Sequence, residues 1–175
     1  MRRPPLVVIL VGLLMIALGE TGGAAMSQLR PQIDRHARAR IAANAGAHGL
    51  AGSVEYDTEV TARAVFAVEA GLSFFHTHAE GIGTVVLLVG TVVASAVPWR
   101  RARGVLQALL AAGGLFPLGY LAYGAAVLEL GRDAGVELAE RYVLTPLGSS
   151  VITGLAGLAL ALVVALVARR RTPAP

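Results

Sequence analysis

Four apolar runs, each long enough to cross roughly 30 Å of hydrocarbon at about 1.5 Å of helix rise per residue, constrain this chain more than any motif in it. They extend from Leu6 to about Ala25, from about Ser73 to Val97, from Val105 to about Leu130, and from near Pro146 to Ala168. With 55% hydrophobic and 15% charged residues, the sequence has too little polar surface to cover a soluble globule. The expected fold is all-α. It is a polytopic membrane protein, a four-transmembrane-helix bundle forming one integral domain over residues 1–175, with an outer-side loop or helix between spans one and two.

The punctuation of these runs sets their orientation. Span two ends at Pro98-Trp99, a helix stop followed by an interfacial aromatic, and Pro146 suits the first turn of span four. Arg2 and Arg3, then Arg100, Arg101 and Arg103, then Arg169, Arg170 and Arg171 flank one side with no Asp or Glu among them. Basic flanks stay inside, which predicts a multi-pass protein of the bacterial inner (plasma) membrane with both termini cytoplasmic. Arg2-Arg3, an apolar stretch and Gly22-Gly23-Ala24-Ala25-Met26 also imitate a cleaved signal peptide, but the apolar stretch is longer than such peptides use.

Met26 to about Ala62 is the one sizeable extramembrane piece. Its basic half, Arg30 to Arg40, reads as a polar helix, and Asn44 to Gly52 is Gly/Ala-rich. Thr61 to Phe75 is too apolar for a loop. If it continues span two, the helix reaches about 54 Å, and a bend near Gly71 or an amphipathic stretch on the outer surface is expected.

Several chemistries are excluded. The chain has no Cys, so disulfides and thiolate sites are absent and any metal must be held by His, carboxylate, Met or backbone oxygen. The positive charge lies in short clusters flanking apolar runs, which argues against a nucleic-acid partner. Ser149-Ser150 has no neighbouring base, and there is no phosphate-binding glycine loop or His-Glu-x-x-His pair. No hydrolase or transferase is legible, and a redox role is the enzymatic option left open.

Ionisable groups at membrane depth are costly and usually mark a site. Counted from the Arg-flanked ends at about 1.5 Å per residue, Glu20, His76, His78, Glu80, Tyr120 and Tyr123 share the outer third of the bilayer, with Glu129 at its upper edge. At 3.6 residues per turn, His76 and His78 point about 200° apart, so they cannot chelate one ion from a regular helix. His76 instead shares a face with Glu80 and Glu69. The metal or haem candidates are therefore His76, His78 and Glu80, supported by Glu20, Glu69, Tyr120, Tyr123 and Glu129. Close helix packing by Gly81, Gly83 and Gly90 is the plain structural alternative for that stretch. Pro117 frees the carbonyl of Gly113 and should bend span three.

His76-x-His78, then Gly83, then an apolar stretch ending in Ala96-Val97-Pro98-Trp99, resembles the His-Ala-His transmembrane segment of the NnrS family, haem- and copper-containing bacterial membrane proteins linked to nitric-oxide stress. The likeness covers about one span. That family has about a dozen spans and an acidic residue directly after the second His, whereas here there are four spans and Ala79 precedes Glu80. The resemblance implies a shared way of holding haem or a metal, with His76 and His78 as ligands.

The expected function is a small integral membrane protein holding haem b, copper or zinc in its outer layer for electron transfer, sensing or cofactor handling. The alternative is an accessory subunit of a larger membrane complex, or a homo-oligomer, without its own cofactor.

Overall fold

The computed structural model describes residues 3–171; Arg2, one of the flanking cations, lies outside them. The described residues form helices α1 (Leu6–Ala43), α2 (Val54–Ala96), α3 (Arg100–Gly113), α4 (Leu118–Leu130), α5 (Arg132–Ala139) and α6 (Thr145–Arg171), with one π-helical turn, Glu140–Leu144, between the last two. No strand occurs among them. Four continuous or nearly continuous segments are long and apolar enough to cross a membrane: Leu6–Ala43, Val54–Ala96, Arg100–Leu130 and Arg132–Ala168. The expected all-helical, four-segment architecture is what the chain adopts.

The helices are longer than the apolar runs that nucleate them. Most of the stretch expected as a loop over 26–62 is helix: α1 runs unbroken to Ala43, α2 already starts at Val54 and passes through Gly71 without a break, and only residues 44–53 connect them. At 43 residues, α2 is about 64 Å long. A lone rod of that length would be unsupported beyond a bilayer. It is supported because its neighbours lengthen with it: Ala37 and Ile41 of α1, Ala64, Val65, Ala67 and Val68 of α2, and Val127 and Leu128 of α4 form a buried cluster near the tips.

At the other end the helices are held by small residues. Val8, Gly12, Met15 and Gly19 make the buried stripe of α1, facing Phe75, Ala79, Gly83, Val86 and Gly90 of α2. A Cβ on Gly83 would lie 2.7 Å from the Gly12 carbonyl oxygen, and one on Gly12 would lie 3.0 Å from that of Gly83. The two backbones are therefore in direct contact, the arrangement that favours helix association where water supplies no driving force.

The third segment breaks where expected. Through residues 113–117 the bonds shorten to i→i−3, and Phe116 N–H donates to the Gly113 carbonyl at 3.0 Å, satisfying the group that Pro117 leaves free. The fourth segment turns back at Gly131 (φ 82°), where a side chain would collide with the Ala47 carbonyl. Among its described side chains α6 buries only Val151, Gly154 and Leu158, at helical spacing. These residues face α3, where a Cβ on Gly113 would meet Val151 and one on Gly154 would meet Leu109 and Leu110. The bundle is thus a triangle of α1, α2 and α3–α4 with α6 on its flank.

Candidate functional site

Between Gly19 and Ala37 no residue of α1 is buried. Here the α1–α2 seam opens into a cleft of about 490 Å³ lined by Gly23, Met26, Ser27 and Ile33 on one side and Leu72 and Ser73 on the other, with Arg30 and Glu69 also on its wall. The local cause is in the sequence: Pro31 lies inside α1 and cannot donate to the Ser27 carbonyl. Arg30 Nε and Nη2 each reach a Glu69 oxygen at 3.4 Å, a long and exposed pair across the seam.

On α2, residues Glu69, Ser73, His76 and Glu80 follow one another at helical spacing and form one polar file down this seam. The His76 imidazole lies against Gly23, where a Cβ would be 2.6 Å from its Cε1. Its Nδ1 is 2.9 Å from the Gly19 carbonyl and 2.7 Å from Glu80 Oε1. Both atoms are acceptors. The contact with Glu80 is close but misaligned, since Glu80 Oε1 is buried with no hydrogen-bond partner; the Nδ1 proton therefore goes to the Gly19 carbonyl. A neutral ring so bound keeps its Nε2 as a lone pair.

His78 is turned elsewhere, as the 200° separation requires. Its Nδ1 donates to the Phe74 carbonyl at 2.9 Å, and its ring packs at a tilt of 44° against Tyr120 with centroids 4.9 Å apart, with Phe116 at 5.8 Å and Phe74 at 6.0 Å. Nε2 of this ring makes no hydrogen bond among the described residues, so both histidines have one nitrogen committed to backbone and the other uncommitted.

The remaining expected residues separate. Glu20 is exposed beside the buried stripe of α1 and makes no hydrogen bond or ion pair among the described residues, although it shares the height of His76. Tyr120 belongs to the His78 cluster, and Tyr123 packs on Gly71. Glu129 sits far above, at the tips, where Arg40 Nη2 donates to it at 2.6 Å. Equal depth along the helices did not translate into one converging layer, because depth carries no azimuth.

The two histidines nearer the tips are also apart from the cleft. His36 lines an adjoining apolar groove of about 380 Å³, which shares only Ile33 and Leu72 with the cleft. His48 is buried and its Nε2 donates to the Leu128 carbonyl at 3.1 Å, joined there by Asn44 Nδ2 at 3.0 Å. That carbonyl is orphaned because Gly131 ends α4, so His48 is a helix cap rather than a ligand. Among the described residues no group of three or more His, Asp or Glu side chains is arranged to hold a metal ion.

Residues that sequence reasoning passed over include Gly23, Met26, Arg30 and Phe116. Pro31 was the available signal for a cleft, since a proline inside a long helix must disturb it. Comparison with protein-family models, with characterised proteins and with solved structures finds no match.

Proposed function

We propose that this chain is a small integral membrane protein that would hold haem b at the α1–α2 cleft, with His76, packed against the Gly23 wall of that cleft, as the residue that would hold it, in electron transfer, sensing or cofactor handling. The observation that carries the reading is the state of His76. A ligating imidazole typically commits its other nitrogen to a carbonyl or carboxylate, which fixes its tautomer and orientation, and His76 has the Gly19 carbonyl and Glu80 placed at Nδ1.

The donor set favours haem over a protein-held copper or zinc ion. A tetrahedral site needs three or four protein ligands, whereas the porphyrin supplies four nitrogens and leaves the protein one or two axial positions. The cleft lining agrees with such a guest: Met26, Ile33 and Leu72 are apolar, and the Arg30 guanidinium at the wall suits a propionate. Met26 would add a thioether to the groups that could hold it. When bound, haem would supply one-electron chemistry or diatomic-gas binding. The chain's own part is to orient His76, exclude bulk water by the Gly19–Ala79 packing below it, and screen the outer mouth with the Arg30–Glu69 pair.

In this reading the apolar runs cross the inner membrane, both termini are cytoplasmic, and the α1–α2 connection faces outward. Support comes from the eight Arg and no acids at one end. A reporter fused after Pro175 should read as cytoplasmic; an outward C-terminus would refute the orientation. Protein purified from haem-replete cells should show a Soret band. Colourless, metal-free protein copurifying with one partner would favour an accessory subunit of a larger complex instead.

A further inference from the structure

The end of the bundle away from the tips holds a pocket of about 300 Å³ lined by Arg3, Arg100, Arg103 and Gln107, with Ala94 and Gly104 between them. Three cations from chain segments nearly a hundred residues apart converge there. The protein supplies them no counter-charge: no Asp or Glu occurs before Glu20, between Glu80 and Glu129 or after Glu140. Arg103 donates to the Val97 carbonyl at 3.3 Å, and Arg3 and Arg100 form no ion pair among the described residues. α3 begins beside them with no side-chain cap, so its first-turn N–H groups add partial positive charge.

A second, independent feature sits on the same wall. Gln107 is only 5% exposed. Its Nε2 donates to the Gly90 carbonyl at 2.7 Å, which fixes the amide, and its Oε1 is buried without a partner. A buried orphan acceptor costs free energy until a donor reaches it. A ligand complementary to this wall would carry a phosphate for the guanidinium groups and a hydroxyl for the amide oxygen.

We propose that this pocket binds the headgroup of an anionic glycerophospholipid such as phosphatidylglycerol, the phosphodiester held by Arg3, Arg100 and Arg103 and a headgroup hydroxyl donating to Gln107 Oε1. A lipid fits better than a soluble phosphoester because apolar side chains start directly beside the pocket: Leu6 and Val7 follow Pro5, Val105 follows Gly104, and all three are exposed. Acyl chains attached to a bound phosphate would lie along them. The inference rests on the membrane reading but not on haem.

The full chain, purified from membranes and exchanged into vesicles of phosphatidylcholine doped with phosphatidylglycerol, phosphatidylmethanol or neither, tests this by native mass spectrometry of retained lipid. Phosphatidylglycerol should be retained at least about tenfold over phosphatidylcholine, and over phosphatidylmethanol, which has the same charge and no headgroup hydroxyl. The combined Arg3→Gln, Arg100→Gln, Arg103→Gln variant should lose the charge preference. Gln107→Leu should lose only the preference for the hydroxyl-bearing headgroup. Equal retention of all lipids by the wild type, or unchanged retention by the triple variant, overturns the proposal. Displacement of the lipid by millimolar glycerol 3-phosphate would reassign the pocket to a soluble phosphoester and overturn the lipid assignment. Should Gln107→Leu fail to fold, the arginine variants, whose side chains are not part of the core, still decide.

Discussion

The two halves of this bundle each bury an apolar cluster and differ in what is added to it. Toward the Arg-flanked end, glycines let helices approach closely: Gly12 meets the Gly83 backbone, Gly113 meets the Val151 backbone, and Gly90 meets the Val8 side chain. Buried apolar clusters occur in both halves, Val93, Val97, Leu106, Leu110 and Leu158 in the lower and Ile41, Val65, Val68, Val127 and Leu128 in the upper, and toward the tips polar groups add to them: Arg40 on Glu129, Arg38 on Asp34, and Asn44 and His48 on the Leu128 carbonyl. In the proposed membrane setting the difference would correspond to two solvents. Among lipid tails apolar surface gains nothing by burial, so close backbone approach must hold helices together, whereas in water burial supplies the driving force. The candidate cleft lies where one regime gives way to the other.

The largest expected effect therefore belongs to a glycine of the lower half. Gly83→Leu places side-chain atoms against the Gly12 backbone, which cannot yield as a flexible side chain can, and should cost more than about 3 kcal/mol or prevent α1–α2 pairing altogether. Gly81→Leu, on the same helix with nothing within 4 Å of its Cβ position, should be neutral. Thermal unfolding of both variants in one detergent checks the pair; equal effects would mean that the close approach does not hold the bundle.

In the upper half the corresponding loss is a cap. His48→Ala removes one of two donors to the Leu128 carbonyl while Asn44 remains, so it should destabilise by about 1 kcal/mol, read by denaturant midpoint or by amide exchange at Gly131–Asp133. His36→Ala, on the wall of an open groove, should change much less. If the two variants behave alike, the capping role assigned to His48 is wrong. Smallest of all is Arg40→Gln, which removes an exposed ion pair: the effect should be slight, and it should shrink further as salt is raised.

The same contrast explains what could be read from the sequence. Four apolar runs foretold the four span-length segments, and the arginine flanks of the first and third meet at one end, because lipid-length hydropathy needs no tertiary information. Helix ends near the tips were illegible: Arg30 to Arg40 is polar on most faces, and only the partnership of Ala37 and Ile41 with α2 and α4 shows that α1 must continue. At the candidate site, the i,i+4 relation placed His76 beside Glu80 and the 200° separation turned His78 away from it. Glu20 shared their height but lies outside the buried stripe of α1. Its exclusion depended on which stripe α1 buries, and that is set by glycines whose packing role a sequence pattern only hints at.

The measurement that bears most directly on the account is the visible absorption spectrum of the haem-supplied protein beside its His76→Ala and Glu20→Gln variants, with far-ultraviolet circular dichroism recorded on each. Insertion depends on summed apolarity, which His→Ala can only improve, whereas ligation depends on one lone pair. The account predicts a Soret band in the wild type and in Glu20→Gln, its loss in His76→Ala, and the same helix content in all three. Full haem occupancy in His76→Ala, or a wild-type protein that takes up no haem under any supply, would contradict it.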